Sequence, residues 1–224
     1  MAILSGGPNS GFSGKAGSVV GYYRMGKWVI RGLPRLSTKN KKGSALQNVH
    51  RNRFIQVQQF LKPISGFIRI GFNLEAKQRG NTPYNSANSY HLLHAFDENG
   101  LLDYSKTKVA SGFLPGAEDA AVFYQDGEFI FTWSDHSLNP PYSRAIQSRK
   151  DDQVMLLIYN IKYARMDGLS SGARRSDCRE VLKHQAVLSE EEWHAWIAFV
   201  SDDRENISDS EYLGIVHGNS EEGA

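Results

Sequence analysis

His91, His94 and Asp97 stand three residues apart. On a helix that spacing puts two imidazoles and a carboxylate on one face, within reach of a single metal ion. No third strong ligand accompanies the two histidines, so hydrogen-bonding roles are expected for them. Asp135-His136 follows a strand-like run on a predicted loop. A general base needs a nucleophile to serve, and none can be identified, so His136 is expected to be a turn residue. Cys178 lies among Arg174, Arg175 and Arg179, cations that would lower a thiol pKa. Asp177 and Glu180 are as near and offset that field, which leaves a half-buried small apolar residue. Gly11-Phe12-Ser13-Gly14-Lys15-Ala16-Gly17 looks like a phosphate-binding loop, but Asn9 stands where glycine is needed and Ala16 where a hydroxyl must hold the cation. The sequon Asn206-Ile207-Ser208 carries little weight without a secretion signal. No acid, base and nucleophile converge, so no catalytic residue, metal or cofactor is expected.

The chemistry that the residue types do favour is binding through charge. The 224 residues include 26 basic and 24 acidic ones, a formal charge of +2. Residues 1 to 79 hold 14 basic residues against the single acid Glu75, a balance of +13; the other 145 hold 12 basic and 23 acidic, or −11. Asymmetry of this kind bears on association, not on fold. Lys15, Arg24, Lys27, Arg31, Arg35, Lys39, Lys41, Lys42, Arg51 and Arg53, interleaved with Tyr22, Tyr23 and Trp28, have the composition of a nucleic-acid surface. No nucleic-acid-binding motif accompanies them. The acidic remainder offers a second partner, namely another copy of the chain. Docking of one copy's basic end on the next copy's acidic body is a heterologous contact, which builds rings, tubes or filaments.

The elements that must position these groups follow from pattern. Eight of the 21 glycines fall before residue 33, which marks an arm. Within it, Ser18 to Tyr23 and Lys27 to Arg31 flank Arg24-Met25-Gly26, a hairpin with glycine supplying a positive φ. Alternation puts Val20, Tyr22, Trp28 and Ile30 on apolar faces, with Phe12 and Lys15 upstream and Arg24, Lys27 and Arg31 at the outside or the tip. Two strands are marginal in water, so the hairpin must pack on its own domain or on another molecule. After the basic linker Arg35 to Lys42, Ser44 with Gln47 predicts a capping box. Leu46, His50, Phe54, Val57, Leu61 and Ile64 then form one helical stripe that Pro63 should end or kink, with Arg51 and Arg53 wet beside it. Thr82-Pro83 opens a second helix to about Phe96.

From residue 101 the pattern changes to strands at Lys108 to Phe113, Glu128 to Ser134, Gln153 to Ile161, His184 to Leu188, Glu192 to Val200 and Glu211 to His217. Phe129, Phe131 and Trp133 share one parity, as do Trp193, Ala195, Ile197 and Phe199. Ser189 with Glu192 would also cap a helix over 190–200; its aromatic and β-branched density favours strand. The expectation is an α+β, β-rich chain in three regions: a basic Gly-rich arm with a β-hairpin over 1–43, two helices over 44–100, and an immunoglobulin-like or fibronectin-like β-sandwich over 101–224. The longest apolar run, Val154 to Tyr159, is too short to span a bilayer, and one cysteine excludes a disulfide scaffold. Without a basic leader the N-terminus predicts cytoplasmic synthesis, with a virion or extracellular assembly as a destination and no membrane partner.

Gly11-Phe12-Ser13-Gly14-Lys15, Gly17, Val19-Val20-Gly21-Tyr22, Gly26-Lys27, Val29-Ile30-Arg31 and Pro34 together resemble the opening signature of an uncharacterised family of bacterial proteins, a domain of unknown function found mostly in Bacteroidetes. The resemblance continues through Gln47, Arg51 and Phe54, the Pro83 to Tyr90 helix, Asp103-Tyr104-Ser105, Gly112 to Gly116 and Ser210 to Gly214, and it implies no activity. A glycine-rich hairpin followed by Ser44, Gln47, Arg51 and Phe54 at these spacings is also similar to the start of small structural proteins encoded in prophage-like regions. That likeness implies a component of a virion or filament. The expected function is therefore non-enzymatic self-assembly through the basic arm, with nucleic-acid binding as the alternative.

Overall fold

The computed structural model describes residues 2–4, 10–33, 43–135, 137, 148–184 and 191–218. The chain divides into two compact units, Met1–Gln47 and Asn48–Ala224.

The first unit is a four-stranded antiparallel sheet in which β1 (Ala2–Leu4), β2 (Phe12–Ala16), β3 (Val19–Arg24) and β4 (Lys27–Gly32) follow one another as a meander. The expected hairpin is present as β3 and β4, but two further strands extend it. Its turn is the two-residue Met25-Gly26, with φ of 49° and 79°, the type I′ geometry that matches strand twist. Two glycines of the arm, Gly11 and Gly21, serve close packing. A Cβ on Gly21 would meet the Phe12 ring at 2.7 Å, and one on Gly11 would fall within the Trp28 indole. Among the described residues from Ser10 to Gln47, Gly21 alone is buried.

The second unit has three layers. Helix α1 (Ala45–Leu61) opens with the expected capping box, Gln47 N–H donating to Ser44 Oγ at 3.3 Å and Ser44 N–H to Gln47 Oε1 at 3.1 Å. Two helices that the sequence reading lacks follow, α2 (Ser65–Gly71) and α3 (Asn73–Arg79), and then α4 (Pro83–His94) with Thr82 as its cap. Pro63 ends α1 as expected, yet Phe67, Ile68 and Phe72 are buried as the chain turns back onto the core.

Strands β5 (Glu118–Gln125), β6 (Glu128–Ser134) and β9 (Arg179–Lys183) form one sheet. The other takes the order β11-β10-β7-β8, from β7 (Gln153–Asn160), β8 (Arg165–Leu169), β10 (Glu192–Val200) and β11 (Glu211–His217). The order β5-β6-β9 facing β11-β10-β7-β8 is the immunoglobulin-like or fibronectin-like sandwich expected.

Strands β7 and β10 are central, and both of their faces are buried. Phe129, Phe131 and Trp133 meet Val154, Leu156, Ile158, Trp193, Ala195, Ile197 and Phe199 between the sheets. The alternate residues Met155, Leu157, Tyr159, Trp196, Ala198 and Val200 meet Val57, Phe60, Leu61, Ile64 and Ile68 of the helical layer. Strands buried on both faces read as continuous apolar runs, which accounts for Val154 to Tyr159.

Two expected strands are corrected. Lys108 to Phe113 is irregular, its amides held one by one: Ser210 Oγ accepts from Val109 N–H at 2.8 Å, and Ser111 N–H donates to the Gly71 carbonyl at 2.9 Å. Val109 and Ala110 are buried because they pack over Gly71, where a Cβ would strike the Val109 carbonyl. The strand expected at His184 to Leu188 lies earlier, as β9; residues 185–188 are outside the described set. Glu192 to Val200 is strand, not helix.

Candidate functional site

The register of the N-terminal sheet decides what each surface can do. Tyr22 pairs with Val29, Val20 with Arg31, Arg24 with Lys27, and Lys15 with Val20. Cross-strand partners share a face. One face of the sheet therefore carries Lys15, Val20, Tyr22, Arg24, Lys27, Val29 and Arg31. The other carries Phe12, Tyr23, Trp28 and Ile30, since Tyr23 pairs with Trp28 and Gly21 with Ile30. Tyr23 and Trp28 meet edge to face with ring centroids 5.2 Å apart. Both remain open to solvent, at 60 % and 42 % exposure, and Ile30 is 59 % exposed. The structure thus separates Val20 and Tyr22 from Trp28 and Ile30, and gathers every cation of the sheet on one side.

The remaining basic residues are dispersed. Arg35, Lys39, Lys41 and Lys42 lie outside the described residues. Arg51 is exposed on α1, but Arg53 is half-buried, with its guanidinium 5.1 Å above the Phe96 ring. Arg53 thus has a packing role in place of the wet cationic one expected. The second unit carries the opposite charge, 18 basic residues against 24 acidic, while the first has 8 basic residues and no acid. Its acids are dense in the β10–β11 connection, where Asp202, Asp203, Glu205 and Asp209 are exposed around Arg204, and Glu211 follows at the start of β11. The Ser201 hydroxyl donates to Asp203 and holds that carboxyl below its ordinary pKa, so it stays anionic.

The residues with catalytic character are committed to structure. His91 is fully buried. Its Nδ1–H donates to the Ala87 carbonyl at 2.6 Å and its Nε2 accepts from Lys108 N–H at 3.2 Å, which sets the tautomer and leaves no lone pair for a metal. Burial lowers its pKa from 6.5 to about 4. His94 is exposed beside Tyr90, and no group of three metal-binding side chains is present among the described residues. The Cys178 thiol contacts the carbonyls of Ser176 and Arg175 at 3.6 and 3.8 Å. His136 lies outside the described residues; Asp135 caps the amide of Ser137 at 2.9 Å. Residues 12–16 of the phosphate-loop look-alike are strand β2, paired on both edges, and no helix follows them.

Sequence reasoning missed a buried ion pair. Arg175 and Asp152 are 2 % and 1 % exposed, with Nε and Oδ2 3.4 Å apart. The guanidinium lies 3.8 Å from the centre of the Phe199 ring and donates to the carbonyls of Gly116 and Pro115 at 2.9 and 2.7 Å. This cation ties the segment before β5 to the start of β7. Burial raises the Asp152 carboxyl pKa against the pull of the Arg149 amide and Arg175. A run of polar letters between strands gives no sign of such burial.

Several cavities open on the second unit, and two of them show what polar groups they offer. One, of about 640 Å³, is lined by neutral residues including Phe60, Tyr104 and Tyr159. The Gln56 amide on its wall is spent on the Gly100 carbonyl and the Leu102 amide. The other, of about 650 Å³, is walled in part by two ion pairs, Glu75 with Arg79 at 3.0 Å and Lys108 with Asp209, and also by Lys77 and Glu205. Among the described residues, no helix is long and apolar enough to cross a membrane.

Residues 11–214 match the family described as "Family of unknown function (DUF6266)". The chain belongs to this family. The match begins at Gly11 and ends at Gly214, so it takes in strands β2 to β4 of the N-terminal sheet and nearly all of the sandwich. No curated protein matches the chain. Among solved structures, the chain is similar to the fibronectin type III domain of the human collagen alpha-1(XX) chain. Identity is 10 % and the TM-score 0.35, over 51 % of this chain and 95 % of that one.

Proposed function

We propose that this member of the family is a non-enzymatic structural protein that assembles with copies of itself, the cationic face of its N-terminal sheet docking on the acidic sandwich of a neighbour. One observation carries the reading: the first unit combines eight basic residues and no acid with a sheet that buries no side chain from Ser10 to Gly32. A sheet of this kind lacks the apolar burial that stabilises a domain, and its charge is opposite to that of the second unit. Because the donor face and the acceptor body are different surfaces, the contact is heterologous and propagates into rings, tubes or filaments. The setting we favour is a virion or filament component of the kind encoded in prophage-like regions, in Bacteroidetes, with the Gly11 to Pro34 run as the family's signature.

Nucleic-acid binding is the weaker reading. It needs cations and stacking rings on one surface, and of the three rings only Tyr22 shares the face of Lys15, Arg24, Lys27 and Arg31, while Tyr23 and Trp28 stand on the opposite one. Light scattering on the purified protein over a salt series tests the proposal. The expected result is particles larger than a monomer at low salt that shrink as salt rises through about 0.5 M, where the Debye length falls to a few ångströms. Reversing Lys15, Arg24, Lys27 and Arg31 to Glu should abolish the low-salt species. A low-salt monomer that shifts arbitrary DNA in a gel would replace assembly with nucleic-acid binding.

A further inference from the structure

The neutral cavity of the second unit holds two tyrosine hydroxyls for which the fold supplies no partner. Tyr104 comes from the short 3-10 turn Tyr104–Lys106, and Tyr159 from the end of β7. Both rings are fixed by packing. The Tyr104 carbonyl accepts from the Thr107 hydroxyl at 2.7 Å, and its ring centroid lies 4.8 Å from that of His194. Tyr159 is 2 % exposed, its ring centroid 6.0 Å from that of Phe60. Neither hydroxyl has a hydrogen-bond partner among the described residues, and neither is closed off from solvent, so both open on the cavity they line. Phenylalanine would pack as well at either position. Buried polar groups are hydrogen-bonded in native proteins, so the partner of the Tyr159 hydroxyl is a molecule inside the cavity. Burial raises the pKa of both tyrosines, which keeps them protonated as donors.

The rest of the lining narrows the class of that molecule. None of the lining residues is charged, so an ion has no counter-charge here. Phe60 is 3 % exposed and offers no open ring face, which removes the stacking platform that a sugar would use. Leu101, Leu102 and Ile161 supply apolar wall, and Gln59 an amide at an exposed position of α1. An apolar enclosure with a few placed polar groups, within the range of about 300–1,000 Å³, is the usual form of a small-molecule site. We propose that this cavity binds an uncharged small molecule with an apolar body and a carbonyl oxygen that accepts from the tyrosine hydroxyls. The site lies wholly within the second unit and does not depend on the assembly reading.

Acetophenone, a carbonyl on an uncharged ring, serves as the probe, with benzoate as its charged counterpart and ethylbenzene as the counterpart without oxygen. In NMR titrations of the full chain, acetophenone should bind saturably with a Kd of about 1 mM, the scale open to so few atoms. Benzoate should not bind, because its charge would lose water among neutral walls. Tyr159→Phe should weaken acetophenone about fivefold to tenfold, the worth of one neutral hydrogen bond, and leave ethylbenzene unchanged. Tyr104→Phe should act in the same direction, and both variants keep the ring that packs. Gln59→Trp should fill the opening from an exposed position and exclude acetophenone and ethylbenzene alike. Absence of saturable acetophenone binding, as in a cavity that holds water alone, overturns the proposal. So does benzoate binding as tightly as acetophenone, or an acetophenone affinity untouched by both tyrosine substitutions.

Discussion

Antiparallel strands build both units, with opposite outcomes. In the sandwich, β7 and β10 bury both faces, and every residue from Trp193 to Val200 is closed to solvent. In the N-terminal sheet, the shorter six-residue strands β3 and β4 expose Tyr23, Trp28 and Ile30, and their one buried residue is a glycine. Propensity and alternation make a strand in either place. What separates the two is whether other layers cover it. The second unit supplies its own covers, the helices on one side and β5-β6-β9 on the other. In our proposal a second copy of the chain covers the first.

Core truncation should break this contrast most sharply. Trp193→Ala removes a fully buried ring and should cost about 3–5 kcal/mol, read as a large fall in melting temperature. Trp28→Ala, at 42 % exposure, should leave the melting of the second unit unchanged and alter assembly alone. A second large effect belongs to the buried ion pair. Asp152→Ala strands the Arg175 guanidinium without its carboxylate and should cost about 3–5 kcal/mol, measurable by urea denaturation. Replacing both partners with apolar residues should recover much of that loss.

Acid should destabilise the second unit in a defined window. Burial lowers the pKa of His91 and of His194 from 6.5 to about 4 in each case. Below pH 6.5 the unfolded chain binds two protons that the folded chain refuses until about pH 4. Stability is therefore full above pH 6.5, falls by a few kcal/mol as pH drops through the window, and levels off with respect to these groups beneath it. His91→Gln should flatten part of that slope in denaturant titrations across pH. The smallest effect belongs to the α1 cap: Ser44→Ala removes a bond at an exposed helix start and should cost about 1 kcal/mol or less, seen as fraying in amide exchange of residues 45–48.

The elements legible in the sequence are those whose pattern is set locally. The caps at Ser44 and Thr82 signal helix starts through side-chain chemistry alone. The strands at Glu128, Gln153, Glu192 and Glu211 have the parity or apolar density of buried strands. Hidden elements depend on tertiary context. Helix α2 follows a proline and contains Gly66 and Gly71, so local rules end the helical region too early. Strand β5 carries a left-handed Asp119 and a register shift after Glu118, which interrupt its alternation. Strand β8 reads as polar and holds Gly168, whose missing side chain lets the Leu156 carbonyl and the Phe67 ring approach. For the candidate surface, the residues were legible and the faces were not. The hairpin turn is two residues long, Met25-Gly26, so Trp28 pairs with Tyr23. A turn one residue longer would have changed the pairing, and a one-residue slip moves a whole strand to the other side.

The claim that the first unit is completed by another copy is tested most directly by deletion. The second unit holds both apolar cores, so removing residues 1–34 leaves it able to fold. Light scattering after size exclusion at low salt should give a multimer for the full chain and a folded monomer for the shortened one. Equal masses for the two, whether both monomeric or both assembled, would contradict the account.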